Sequence, residues 1–213
     1  MSAVDGIRCS SRSPELGTAN PAIRCESRRP AALVLLLLVL LVSSSGVGAQ
    51  ANSPSEYQVK AAFLFSFAKF IDWPPSSFAS PQSPFSICIL GADPFGPAID
   101  EALRGKTIGD RAVVVRRARE PGEVRHCQIV FISSSENHRL AEILSSLQGA
   151  SVLVVGDADH FADSGGTIGL MLEQNRIRFT INTDAAQGAG LKISSKLLAL
   201  ARIVRGAPES GRN

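Results

Sequence analysis

Two segments, Gln128–Ser133 (QIVFIS) and Ser151–Gly156 (SVLVVG), are apolar without alternation. A strand with one wet face alternates polar and apolar residues. Unbroken apolar runs belong instead to strands covered on both faces, as in the parallel sheets of α/β domains. Phe85–Leu90 (FSICIL) and Ala112–Arg117 (AVVVRR) read as two more strands, rich in β-branched residues. Between the first pair, Leu140, Ile143, Leu144 and Leu147 follow helical spacing, with Ser135 as the expected N-cap and Gly149 as the stop. A shorter helix is expected from Pro97, proline being favoured at the first helical position. Further on, Ile177, Phe179 and Ile181 alternate with Arg176, Arg178 and Thr180, and Gln174–Asn175 predicts a tight hairpin. The apolar segment Ser194–Val204 (SSKLLALARIV) is expected to form a closing helix. Together these predict an α/β fold: a single layered domain, its mainly parallel sheet flanked by helices, with one antiparallel C-terminal hairpin.

The N-terminal region sets the compartment. Arg24, Arg28 and Arg29 precede an apolar run from Ala31 to Val42, followed by small residues ending in Ala49-Gln50-Ala51. Crossing a bilayer takes about 20 apolar residues, so this run is too short for an anchor. A basic flank, a short apolar core and an A-x-A exit describe a secretory signal, and residues 1–51 are expected to be a leader. Residues 52–206 are then one domain and 207–213 a disordered tail. Arg8, Arg12, Arg24, Arg28 and Arg29 leave with the leader against only Asp5, Glu15 and Glu26, so the remainder is close to neutral. That excludes an extended nucleic-acid footprint, and Arg116-Arg117-Ala118-Arg119 reads as the solvated end of a strand. Of four cysteines, Cys9 and Cys25 fall in the leader. In an oxidising compartment the remaining two, Cys88 and Cys127, are expected to pair; the alternative is two separate buried thiols.

Glu56–Asp72 reads as a helix of unusual greasiness. Tyr57, Leu64, Ala68 and Ile71 share an arc with Val59, Phe63, Phe67 and Phe70, while Gln58, Ser66, Lys69 and Asp72 lie opposite. Pro74 and Pro75 are expected to end it. Phe65 alone falls among the polar residues, where it could meet a partner or a second copy of the chain.

Motifs of catalysis are weak. Gly105-Lys106-Thr107 has Asp100 where a phosphate loop needs glycine, and it lies between a helix and a strand in the wrong order. The turn after Leu90 (GADPFGP) has the right setting for a ligand but lacks G-x-G-x-x-G spacing. Asp157, Asp159, His160 and Asp163 miss the calcium-loop template. His126, His138 and His160 stand near no serine elbow. No catalytic residue, metal ligand or cofactor is expected, and the protein is read as not an enzyme.

The order of pieces then becomes informative. Glu56–Pro74 (EYQVKAAFLFSFAKFIDWP), a strand carrying Cys88, a later strand introduced by Cys127, Asp163–Asn182 (DSGGTIGLMLEQNRIRFTIN) and Leu191–Val204 resemble the YfiR family of bacterial periplasmic proteins. The resemblance implies a periplasmic regulator that binds the periplasmic domain of an inner-membrane diguanylate cyclase and represses it, lowering cyclic di-GMP and biofilm. It also implies an outer-membrane lipoprotein able to sequester the repressor, and a disulfide carried onto Cys88 and Cys127. A second cysteine pair found in some members has no counterpart here. Phe65, Arg176 and Arg178 are the candidate partner contacts, and a homodimer is expected as possible through Phe65. The competing reading is a periplasmic small-molecule-binding module with its pocket beyond Leu90 and Gly156.

Overall fold

The computed structural model describes residues 55–205. The expected leader, 1–51, and tail, 207–213, lie outside them. Helix α1 (Glu56–Phe70) starts at a capping box: Ser55 Oγ accepts from Gln58 N, and Gln58 Oε1 accepts from Ser55 N. It ends four residues before Pro74, because the next two residues, β1 (Ile71–Asp72), pair antiparallel with β9 (Lys192–Ile193). Strand pairing, not proline, stops this helix. Phe70, placed in the buried arc by periodicity, is accordingly 41% exposed.

There follow β2 (Phe85–Leu90), α2 (Pro97–Leu103), β3 (Thr107–Ile108), β4 (Arg111–Ala118), α3 (Pro121–Val124) and β5 (Ile129–Ile132). A 3₁₀ segment, Ser134–Arg139, leads into α4 (Leu140–Ser146), then β6 (Leu153–Gly156), β7 (Ile168–Glu173) and β8 (Arg176–Asn182). The chain closes with α5 (Thr183–Gly188), β9, α6 (Ser195–Leu198) and β10 (Arg202–Val204). The main sheet has the order β10-β8-β7-β6-β5-β2-β4-β3. Five of its seven pairings are parallel; β7–β8 and β3–β4 are antiparallel. The fold is therefore the expected α/β sheet, with a second antiparallel pair at the β3 edge that the sequence did not announce.

Alternate residues of the central strands enter two separate cores. Ile87, Ile89, Ile129, Phe131, Leu153 and Val155 pack toward α1 and α2. Cys88, Leu90, Val130, Ile132, Val152 and Val154 pack with Ile143, Leu147 and Val124 of the opposite layer. This is why those strands show no alternation: both faces are dry. The α1 face is held by aromatic edge contacts, with Phe67 5.3 Å from Phe179 and Trp73 5.2 Å from Phe85 between ring centroids.

Two further departures have local causes, and the expected hairpin is present. The expected closing helix is a single turn capped by Ser194, after which Arg202–Val204 join β8 in parallel. Ser133, not Ser135, caps the segment before α4, while Ser135 Oγ accepts from Ala92 N. Gln174 and Asn175 have φ of 49° and 61°, so the hairpin turn is of the type that needs both central residues left-handed. Among the described residues no helix is long and apolar enough to cross a membrane.

Candidate functional site

In open α/β sheets ligands enter beyond the carboxyl ends of the parallel strands. Here part of that crevice is filled by the protein itself, and two clefts stay open beside it, one of about 870 Å³ lined by Gly91, Asp93, Arg117 and Glu136 and one of about 840 Å³ lined by Lys60, Asp157 and His160. After β2, Asp93 Oδ1 accepts from the amides of Phe95 (2.8 Å) and Gly96 (3.2 Å), folding the loop inward. Phe95 is thereby buried, 4.7 Å from Phe131 and 5.3 Å from Tyr57 between ring centroids. Asp93 Oδ2 also accepts from Arg117 Nε at 2.9 Å, and Arg117 Nη2 reaches Asp100 at 2.5 Å. That guanidinium lowers the Asp100 pKa by hydrogen bonding.

After β6 the same closure is made by charge. Asp157 accepts from Tyr57 Oη at 3.0 Å and from Lys60 Nζ at 2.6 Å, and Lys60 also meets Glu56 at 2.5 Å. The Lys60 and Asp157 side chains are 4% and 6% exposed. Burial opposes the lysine's charge, but hydrogen bonds to Asp157 and Glu56 outweigh it and raise the Lys60 pKa. Burial, then Asp157, raises that of the Tyr57 phenol. The first turns of α1 are thus bolted to the loop after Gly156, at one side of the region where the competing reading placed a ligand. Sequence alone gave Lys60 no role. Its position among the apolar residues of α1 was the available signal.

The Asp157–Asp163 loop is explained by this latch and by Phe161. Gly156 and Gly166 face that ring: a Cβ built on them would lie 2.3 Å and 2.1 Å from its carbons. Gly165, at φ 101°, makes the turn between them possible. Asn182 is also structural. Its Nδ2 donates to Ala162 O, and its Oδ1 accepts from Asp184 N and Ala185 N at the start of α5.

Cys88 and Cys127 are joined in a disulfide, with Cα atoms 6.1 Å apart. It ties β2 to the residue preceding Gln128 and β5.

The candidate contact residues do not converge. Phe65 is half-buried against the α1 core, with Lys69 Nζ and Lys106 Nζ 5.6 Å and 5.9 Å from its ring centroid. Arg176 and Arg178 are exposed on β8. Phe63 turns to Phe179 of β8 while Phe65 turns to Lys106 ahead of β3, and these strands lie toward opposite ends of the sheet. Exposed apolar side chains include Leu172 on β7 (50% exposed) and, apart from it, Phe70, Leu200 (74%) and Ile203 (44%). Leu200 and Ile203 share one segment. Ser194 N donates to Phe70 O, which places Phe70 beside the C-terminal segment carrying the other two.

Among solved structures, a conserved domain protein from Vibrio cholerae superposes with a TM-score of 0.49 at 11% identity, over 70% of this chain and 60% of that one. The ABC domain in complex with L-Trp from Streptococcus pneumonia gives 0.46 at 11% identity, with the same coverage of 70% and 60%. A ligand-free, open substrate-binding protein with adhesive properties from Clostridium difficile gives 0.42 at 9% identity, over 68% of this chain and 58% of that one. The chain spans about 60% of the length of the first of these, and no function is taken from them. The family comparison is of a different order. The YfiR/HmsC-like family matches residues 57–202, from the first turn of α1 into β10, and the chain belongs to that family.

Proposed function

We propose that this protein is an exported, non-enzymatic regulator that binds a membrane-bound signalling protein in the periplasm and holds it inactive. The partner proposed is the periplasmic domain of an inner-membrane diguanylate cyclase, with an outer-membrane lipoprotein as the competitor that relieves repression. The observation that carries the reading is family membership over 57–202. Two structural features support it. Part of the carboxyl-end crevice is occupied by Phe95, Tyr57 and the Lys60–Asp157 pair, which narrows the room for a ligand between them. A disulfide ties β2 to the segment just before β5, as suits an oxidising compartment.

Repression of this kind requires only that the regulator bind one state of its partner more tightly than the other. Arg176 and Arg178 on the exposed edge of the hairpin, and the half-buried Phe65, are its proposed contacts; a homodimer through the Phe65 flank is a further arrangement the reading accommodates. Deleting the gene should raise cellular cyclic di-GMP and biofilm matrix, and re-expression should restore both. Re-expression of Arg176→Glu/Arg178→Glu at equal protein level should restore neither. Unchanged cyclic di-GMP on deletion removes the cyclase as the target.

A further inference from the structure

A cleft of about 640 Å³ opens on the disulfide face, at the amino-terminal ends of β2, β5 and β6. Its charge distinguishes it. In the cleft after β2 and β4, Arg117 is answered by Asp93 and Asp100 and Arg139 by Glu136 and Glu120. The disulfide-face cleft is lined by Arg116, Arg125 and His126, and no carboxylate lines it among the described residues. Arg116 stands opposite Cys88 in the β2–β4 register, while Arg125 and His126 immediately precede Cys127, so the disulfide brings the two guanidiniums and the imidazole together. Neither Arg116 nor His126 has an ion pair or side-chain hydrogen bond among the described residues. Arg125 donates only to the Ser146 carbonyl.

The opposite wall is equally suggestive. Gln128, 2% exposed, accepts from Ser86 N and donates to the Ser77 carbonyl, fixing the backbone of Ser77. The Ser77 hydroxyl is buried and has no hydrogen-bond partner among the described residues. Buried hydroxyls nearly always have one. A concave surface with unanswered cations concentrates positive potential. Guanidinium forks match the paired oxygens of a phosphate, and serine hydroxyls supply further donors. The cleft is larger than an inorganic ion, and Phe78 lines it as an apolar surface for an organic substituent.

We propose that this cleft binds a phosphate monoester or diester, its oxyanion held by Arg116, Arg125 and His126, whether carried by a small metabolite or by a phospholipid headgroup. The site is independent of the identity of the regulated partner.

The disulfide-bonded protein, labelled with ¹⁵N, is titrated with inorganic phosphate, glycerol 3-phosphate, glycerol, and vesicles of phosphatidylglycerol or phosphatidylcholine. Glycerol 3-phosphate should shift amides of Ser77, Arg116 and Arg125–Gln128, and glycerol should not. Arg116→Gln should weaken binding about tenfold or more, the loss of one charged hydrogen bond, and His126→Gln should weaken it as well, both at an unchanged melting temperature. Arg176→Gln on the distant hairpin should bind as wild type. Binding confined to phosphatidylglycerol vesicles, still abolished by Arg116→Gln, assigns the phosphate to a lipid. Absence of binding by every phosphate probe overturns the site, as do shifts that map elsewhere or full affinity in both cleft variants.

Discussion

Lys60 is the residue on which the α1 face most depends. It is 3% exposed within an otherwise apolar patch, and both its partners are carboxylates. A buried ion pair adds little over a well-packed apolar pair, yet removing one partner strands the other charge. Lys60→Met should therefore cost about 3 kcal/mol or more in urea unfolding, because Asp157 would keep only the Tyr57 hydroxyl. Adding Asp157→Asn should recover part of that loss, a positive coupling that a purely steric defect would not show. The pH dependence has a definite sign. The folded-state pKa of Lys60 is raised, so its contribution is complete below the ordinary lysine value and is lost as pH climbs through the folded one. Tyr57, also raised, acts in the same alkaline window and the same direction.

At the scale of elements, what was legible depended on whether local pattern or a distant neighbour decided the outcome. The central strands announced themselves because burial on two faces leaves its mark within each run, and Gln174–Asn175 named its own turn. Ser194–Val204 misled, since one apolar composition serves a buried helix and a strand alike. The open edge of β8 decided in favour of the strand, and that edge lies in another part of the chain. The same holds for Ile71–Asp72, drawn from helix into sheet by Lys192–Ile193. Of the candidate site, the disulfide was readable from composition and compartment. The Lys60–Asp157 latch was not, since 97 residues separate its partners. The cation cleft was not either, for it draws Arg116 from β4 and Arg125 from the end of α3. β10 is only Arg202–Val204, its outer edge is unpaired among the described residues, and Arg202 and Ile203 are exposed. Its amides should therefore exchange with solvent about a hundredfold faster than those of β2 and β5, which lie inside the sheet. Equal protection would mean that the edge is covered in solution.

For the molecule as a whole, the covalent link between Cys88 and Cys127 is the largest single constraint on the unfolded chain. It closes a loop of 39 residues. Chain entropy assigns such a closure about 4 kcal/mol, a large share of the roughly 5–15 kcal/mol that holds a typical domain folded. Both half-cystines are buried, 1% and 4% exposed, so their packing can survive replacement by serine better than their linkage can. Cys88→Ser/Cys127→Ser should lower the melting temperature by about 8–16 °C, the shift such a loss gives in a domain of this size. Dithiothreitol should move the wild type toward the same value and leave the variant unmoved. In the cell the variant should be cleared from the periplasm and cyclic di-GMP should rise as in the deletion strain. Raising expression until the folded amount matches wild type should restore repression, since the linkage holds the fold and the contacts proposed above, Phe65, Arg176 and Arg178, do not line the disulfide-face cleft. Failure to repress at matched folded protein would instead place the disulfide face itself against the partner.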